Sequence, residues 1–141
     1  MLRGTFDAAE TTPSGLRSAY DDRLRETVDR VGLDTAAAKT DIDRETLEAL
    51  AGGDSPDLTL SEGAAILALD ETLPDSDAIV AEARDLLLIG MSTAVLDVEA
   101  IAAGIEDELD PKEIQQKVEG RYPITLDEYA LLHSHIEGEK P

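Results

Sequence analysis

The sequence of 141 residues contains no cysteine and no tryptophan, and aromatic residues make up only 3% of it. The absence of cysteine excludes disulfides, thiolate metal ligands and cysteine nucleophiles. With so few aromatic rings, a core has to be built from Leu, Ile, Val and Ala. Hydrophobic residues make up 42% of the chain, which is typical of a folding sequence and not of a disordered acidic tail. The length suits one or two small cores, not a large enzyme fold.

The sequence also lacks long hydrophobic runs. Residues 1–7 contain no signal-peptide core, and no apolar run is long enough to cross a bilayer. In the most apolar part of the chain, Glu82, Arg84 and Asp85 interrupt the run. We therefore expect a cytoplasmic protein with no membrane partner.

Basic residues are scarce. Twelve Lys and Arg residues stand against 32 Asp and Glu residues, which gives a formal net charge of −20. A folded chain this acidic is typical of the cytoplasm of a salt-in halophile, where carboxylates keep the surface hydrated and soluble. In molar salt the Debye length is about 3 Å, so the self-repulsion is tolerable there and costly in dilute buffer. We interpret most carboxylates as solvated surface, and we expect stability to be lost on desalting.

Residues 36–56 have the pattern of a helix-turn-helix: a short small-residue helix, a tight turn, and a second short helix that ends at glycines. The stretch resembles the lambda-repressor-like helix-turn-helix family through Ala37, Lys39, Thr40, Ile42, Arg44, Thr46, Leu47, Gly53 and Pro56. Where that family usually has a turn glycine, this chain has Asp41, which adopts the left-handed conformation less readily. The resemblance implies a small helical unit whose usual ligand is DNA.

The remaining helix signals of the first half surround this stretch. Thr12 and Pro13 open a long amphipathic helix that ends at Gly32. The next two helices begin at predicted N-caps, and a capping box, Thr-Leu-Ser-Glu, opens the fourth. The predicted caps of these three helices are Asp34, Asp43 and Thr59.

The second half repeats this order of signals. A long helix opens at residues 75–77, two short helices are capped by Asp97 and Asp110, and Gly120 stands where Gly53 stood. The capping box at Thr125 follows the one at Thr59 after 66 residues. We therefore predict an all-α fold of two small four-helix, helix-turn-helix-like units packed together. The units are residues 12–74 and 75–141, preceded by a flexible N-terminal arm at residues 1–11.

The segment Leu86–Met91 is apolar nearly all round, which is typical of a helix buried on more than one side. We interpret it as a central helix sandwiched between the two units. The alternative is a homodimer seam, in which Gly90 lets two helices approach closely.

Catalytic signals are weak. His133 and His135 are two residues apart on a predicted helix, so they point to different faces and cannot share a metal ion. Carboxylate pairs such as Asp21 and Asp22 lack a neighbouring base, and the glycines at 52–53 are better explained as a helix C-terminus than as a nucleotide cradle. We predict no enzyme activity, no cofactor and no metal site.

The second helix of a helix-turn-helix enters the major groove of DNA, with residues near its N-terminus reaching base edges. In the first unit that helix contains Glu45 and Glu48, which repel phosphates. In the second unit, the helix Pro111–Gly120 and the residue after it are the least acidic, most amide-rich surface of the chain. Its candidate nucleic-acid-binding residues are Lys112, Gln115, Gln116, Lys117 and Arg121. Gln pairs bidentately with adenine, and Lys or Arg pairs with guanine or phosphate.

Two functions follow from this surface. The first is a non-enzymatic regulator that binds DNA in a high-salt cytoplasm. The alternative is a protein–protein interaction adaptor on a helix-turn-helix scaffold, because a net charge of −20 repels DNA and fold does not dictate function. The whole chain also resembles an uncharacterised family of acidic halophilic archaeal proteins, including the segments 86–97 and 112–120. That resemblance implies only the salt-adapted cytoplasmic setting.

Overall fold

The computed structural model describes residues 12–140, and the regular elements in that range are all helices. Their bounds are α1 Pro13–Val31, α2 Leu33–Thr40, α3 Arg44–Ala51, α4 Leu60–Leu67, α5 Ser76–Ala94, α6 Val98–Gly104, α7 Pro111–Val118 and α8 Leu126–Gly138. The predicted all-α class is therefore confirmed. The predicted N-terminal arm lies outside the described residues.

Short polar side chains begin most of these helices, as predicted. The carboxylates of Asp75, Asp97 and Asp110 each accept a hydrogen bond from the backbone N–H three residues later, at 2.8–2.9 Å. At Thr59 and Thr125 both halves of the capping box are present. These caps satisfy backbone donors that a helix start leaves without a partner, which fixes where each helix begins.

Two predicted caps in the first half need correction. Asp34 is not an N-cap: α2 begins at Leu33 directly after Gly32, so Asp34 lies inside its first turn. A single residue separates α1 from α2, which leaves no room for a separate capping residue. Asp43 does occupy the N-cap position of α3, but its side chain makes no capping hydrogen bond.

The two halves have the same helix order and pack together. Helix α1 packs against α8 of the second half as well as against α4, and α5 packs against both α4 and α8. At the junction, Leu60 N–H donates to the carbonyl of Ile124 at 2.8 Å, and Leu126 N–H donates to the carbonyl of Leu58 at 2.9 Å. These two bonds are reciprocal, as expected for two halves related by an approximate two-fold axis through the Thr59–Thr125 bridge.

The core is aliphatic, as the composition predicts, with two tyrosines among its largest buried side chains. The rings of Tyr20 and Tyr129 meet edge to face, with centroids 6.1 Å apart. The hydroxyl of Tyr129 donates to the backbone carbonyl of Ala83 at 2.9 Å, and the hydroxyl of Tyr20 lies 2.9 Å from Nδ1 of His133. These contacts join α1 and α5, the first helices of the two halves, to α8.

Helix α5 is not buried all round, so the prediction for Leu86–Met91 is wrong in that respect. Leu87 and Gly90 are buried, but Ile89 is 61% exposed, and Val95, just after the end of the helix, is 88% exposed. The physical reason is that α4 and α8 cover one side of α5 and leave the other to solvent.

Gly90 allows a close helix approach within the chain. A Cβ atom built on Gly90 would lie 2.7 Å from Cγ2 of Ile136 in α8, which is closer than two carbon atoms can pack. The approach that the sequence attributed to a dimer seam is therefore made between α5 and α8.

We expect Gly90→Ala to lower the free energy of unfolding by about 1–3 kcal/mol, because overpacking at Ile136 outweighs the helix propensity of alanine, worth about 1 kcal/mol. Chemical denaturation in molar potassium chloride measures the effect. In an Ile136→Ala background, where the crowding methyl is gone, the cost of Gly90→Ala should disappear. A single Gly90→Ala variant more stable than the parent would contradict the close contact.

Candidate nucleic-acid interface

Helix α7 turns one face inward and the other outward. Asp110 caps it and Pro111 stands at its first position, where a missing backbone donor costs nothing. Ile114 and Val118 are buried, and α7 packs against α5 and α6. The four-residue spacing of these two apolar side chains leaves the opposite face of the helix to solvent.

The five predicted residues are placed differently on this surface. Lys112 and Gln115 are exposed, and the Gln115 amide donates to Glu119 at 3.2 Å. Gln116 is half-buried. The Lys117 side chain is only 15% exposed, because its ammonium pairs with the capping-box carboxylate of Glu128.

Arg121 is exposed, and its Nε lies 3.6 Å from a carboxylate oxygen of Glu119. Exposed ion pairs of this kind contribute little to stability, so the guanidinium can exchange Glu119 for another anion at small cost. Lys112, Gln115 and Arg121 are therefore the members of the predicted set that can reach a partner directly.

The corresponding helix of the first half differs in charge. Helices α3 and α7 are both eight residues long, and their sequences align with Glu45 opposite Lys112 and Glu48 opposite Gln115. The basic residue of α3, Arg44, is paired with Asp34 and with Glu48. Helix α3 thus presents carboxylates where α7 presents an ammonium and an amide.

A cleft beside α7 contains a residue that the sequence analysis did not select. The cleft has a volume of about 340 Å³, and Arg84 of α5 lines it together with Lys117, Arg121 and Tyr122. We call it the Arg84 cleft. Arg84 comes from a distant part of the sequence, and only its alignment with α1 of the first half could have indicated it.

The guanidinium of Arg84 lies directly on the backbone of Gly120. A Cβ atom at Gly120 would collide with Nη1 of Arg84, and Gly120 has a φ of 80°, which favours glycine. Within residues 12–140, no carboxylate lies within ion-pair distance of Arg84. A half-buried arginine without a carboxylate is notable in a chain with 32 acidic residues.

The two histidines are separated by the fold, as predicted. His133 is buried against Tyr20 and Tyr129, whereas His135 is half-buried with its ring against Gly104. Burial lowers the pKa of His133, because the charged ring loses its hydration; nearby Lys140 lowers it further, and the carboxylate of Glu137 opposes the shift.

We expect the free energy of unfolding to fall as the pH drops below about 6.5, the ordinary pKa of histidine. The unfolded chain takes up the proton first, so the stability associated with neutral His133 is present above that pH and is lost below it. Between about pH 7 and pH 5, the parent should lose more stability than a His133→Gln variant, which cannot titrate there. Urea denaturation across this range measures the difference. Equal losses in the two proteins would contradict a depressed pKa at His133.

Within the part of the chain that the structure describes, no group of three or more His, Asp or Glu side chains could hold a metal ion. No single helix there is long and apolar enough to span a membrane. Helices α5 and α6 reach that length and composition only when taken together, and a bend of 92° separates them.

The fold defines a class: an all-α protein built from one four-helix arrangement used twice, with its less acidic helix surface in the second copy. The family model described as "Family of unknown function (DUF5791)" matches residues 16–139, and the chain therefore belongs to that family. No curated protein and no solved structure matches the chain.

Proposed function

We propose that this protein is a non-enzymatic regulator with tandem helix-turn-helix-like units, which binds DNA through α7 in a high-salt cytoplasm. The lambda-repressor-like resemblance of the first half supports the unit type, and the repeated helix order extends it to the second half. The DNA-contacting surface is assigned to the second copy because of its charge.

One observation carries this proposal: the gathering of cations on one surface of the second half. Beyond residue 75 the chain has five Lys and Arg residues, of which Lys112, Lys117 and Arg121 lie on α7 or just after it. Arg84 lines a cleft together with Lys117 and Arg121. The equivalent surface of the first half is acidic. Residues 111–121 contain three basic and two acidic residues, whereas the equivalent residues 44–54 contain one basic and three acidic residues. In a chain with a net charge of −20, this is the surface best suited to a phosphate backbone.

The exposed side chains on and just after α7 fall into two groups, one suited to contact a base and the other suited to contact phosphates. Gln115 lies near the middle of the exposed face of α7, where its amide can pair with the donor and acceptor edge of adenine. Lys112 and Arg121 stand at opposite ends of the helix and can contact phosphates on either side of the groove. High salt weakens the phosphate contacts, so hydrogen bonds and shape have to supply much of the selectivity.

The test is a gel-shift experiment in molar potassium chloride against genomic DNA fragments. The parent should retard a subset of fragments, and the double variant Gln115→Ala/Gln116→Ala should lose that selectivity by about tenfold or more, since a good bidentate pair discriminates by about 1–3 kcal/mol. Glu48→Ala, at the position of α3 equivalent to Gln115, is the matched control and should bind as the parent does. Retardation of no fragment by the parent would refute the proposal.

The second candidate function is a protein–protein adaptor, and exposed apolar side chains on α5 favour it. Leu88, Met91 and Val95 line an open groove of about 580 Å³ that ends at Leu96. Either a different protein or a second copy of this chain could cover this face, and the second case is the predicted homodimer in a modified form. An adaptor of this kind would be indifferent to the Gln115 and Gln116 changes, whereas Val95→Glu, in the groove itself, would abolish its association.

A further inference from the structure

We propose that the Arg84 cleft binds the oxyanion group, carboxylate or phosphate, of a small organic ligand. The inference goes beyond the DNA-binding proposal, because it rests on the cleft between α4, α5 and the residues after α7, and not on the exposed face of α7. It follows from comparing the residues of the cleft with those at the equivalent position of the first half.

The equivalent position beside α1 holds an ion cluster, which we call the Arg17 cluster, in which Arg17 and Asp21 are buried and Asp127 is exposed. Arg17 lies in α1, with its Nε 3.0 Å from Asp21 and its Nη1 2.9 Å from Asp127 at the start of α8. Its remaining nitrogen donates to the carbonyl of Pro56, and the hydroxyl of Ser55 donates to Asp21 at 2.5 Å. The chain therefore supplies both the cation and its anions here.

In the second half, the equivalent positions carry different residues. Helices α1 and α5 are both 19 residues long and align end to end, which places Val80 opposite Arg17 and Arg84 opposite Asp21. The two capping boxes align in the same way and place Ser61 opposite Asp127. The two carboxylates of the Arg17 cluster are thus replaced by a hydroxyl and a guanidinium.

The result is a cleft with cations and no anion of its own. Val80, Ser61 and Arg84 all line it, and Arg121 and Lys117 add two more basic side chains from the α7 side. Lys117 already pairs with Glu128 in a largely buried contact. Arg121, in contrast, makes only a long, exposed contact of 3.6 Å with Glu119. Arg84 pairs with no carboxylate of residues 12–140. The available groups are therefore the guanidiniums of Arg84 and Arg121. Planar guanidiniums match carboxylate and phosphate oxygens bidentately, and a half-buried one binds them more strongly than an exposed one does.

The cleft is the size of a small ligand, not of a single ion. Its volume of about 340 Å³ lies at the lower end for small-molecule sites. Tyr122, Pro123 and Ile124 form a partly apolar wall beside the two guanidiniums. A small organic molecule with one oxyanion group satisfies both the charged and the apolar parts of this lining.

Isothermal titration calorimetry in molar potassium chloride tests the inference, with inorganic phosphate, a nucleoside monophosphate and a short dicarboxylate as separate probes. The chloride concentration is the same in every titration, so each measured affinity reports how strongly the cleft prefers that probe to chloride. At least one of the two organic probes should bind more tightly than inorganic phosphate. Which of the two binds more tightly shows whether the cleft prefers a phosphate or a carboxylate. Absence of binding by all three, or equal binding by phosphate alone in parent and Arg84→Ala, would overturn the inference.

Arg84→Ala should weaken binding by about tenfold or more, since hydrogen bonds to charged groups are among the stronger ones in proteins. Arg30→Ala, a remote arginine with one exposed ion pair, is the matched control and should bind as the parent does. Binding by Arg84→Ala equal to that of the parent would place the anion elsewhere and contradict the inference.

A second variant guards against a folding defect at Arg84. Ser61→Asp gives α4 the residue that α8 has at the equivalent position, Asp127. Position 61 lies in the first turn of α4, where a carboxylate is favourable. It should leave the fold intact, supply an internal anion to Arg84 and abolish ligand binding. Undiminished binding in this variant would contradict the site. If Ser61→Asp abolishes ligand binding but leaves DNA retardation unchanged, the cleft and the DNA-binding face of α7 are separate sites. Either proposal can therefore fail without the other.

Discussion

Arg17→Ala is expected to lower the free energy of unfolding by about 3–5 kcal/mol, the usual cost of leaving one member of a buried ion pair alone. Arg17 joins α1 to the start of α8. Its removal leaves the carboxylate of Asp21, a residue that is 3% exposed, with the Ser55 hydroxyl as its remaining partner in the cluster. Urea denaturation in molar potassium chloride measures the loss.

Two controls define what this result means. Arg44→Ala removes a residue with two exposed ion pairs and should leave stability close to that of the parent. The double variant Arg17→Met/Asp21→Leu replaces the pair with apolar groups and should recover most of the loss, because the cost comes from the stranded charge. A loss for Arg17→Ala no larger than that for Arg44→Ala would contradict a buried cluster.

Transfer from molar to millimolar salt is expected to lower the melting temperature by more than about 10 °C, which for a chain of this size corresponds to roughly 3 kcal/mol. The Debye length rises from about 3 Å at molar salt to about 30 Å at 0.01 M, so the carboxylates repel one another across the whole molecule in dilute buffer. The structure places many of these carboxylates at the surface, among them the run 106–108 between α6 and α7.

A charge-reduced variant tests the cause of this salt dependence. Replacing Glu106, Asp107 and Glu108 with their amides removes three exposed charges while keeping their shapes. Asp107 has a φ of 59°, which asparagine tolerates well. The variant should retain more of its melting temperature in dilute buffer than the parent does. A melting temperature of the parent that is unchanged between the two salt concentrations would refute the salt-adaptation proposal.

Much of the fold could be predicted because its signals are local. A capping box identifies the start of a helix from four consecutive residues, and the boxes at Thr59 and Thr125 made the repeat visible. The exposure of Val95 and Ile89 could not be predicted in this way, because it depends on which neighbours cover α5. The start of α2 was predicted wrongly for a local reason. Gly32 both ends α1 and directly precedes α2, and no capping rule anticipates one residue in both positions.

The candidate site was only partly predictable for the same reason. Lys112 and Gln115 were found because they belong to one short helix with a recognisable start. The Arg17 cluster was not found, since Arg17 and Asp127 are 110 residues apart in sequence, and Arg84 was not found because it lies against Gly120, beyond two intervening helices. The reciprocal bonds flank the Thr59–Thr125 bridge, which joins positions 66 residues apart in the two halves, the same offset as that of the capping boxes.

The central claim is that the second copy of the repeated unit is the working one. Hydrogen exchange of the backbone amides, with and without a DNA fragment retarded in the gel shift, tests it most directly. We expect slower exchange in residues 111–121 on adding the fragment, and unchanged exchange in the equivalent residues 44–54 of the first half. Protection confined to 44–54, or protection of neither segment, would contradict it.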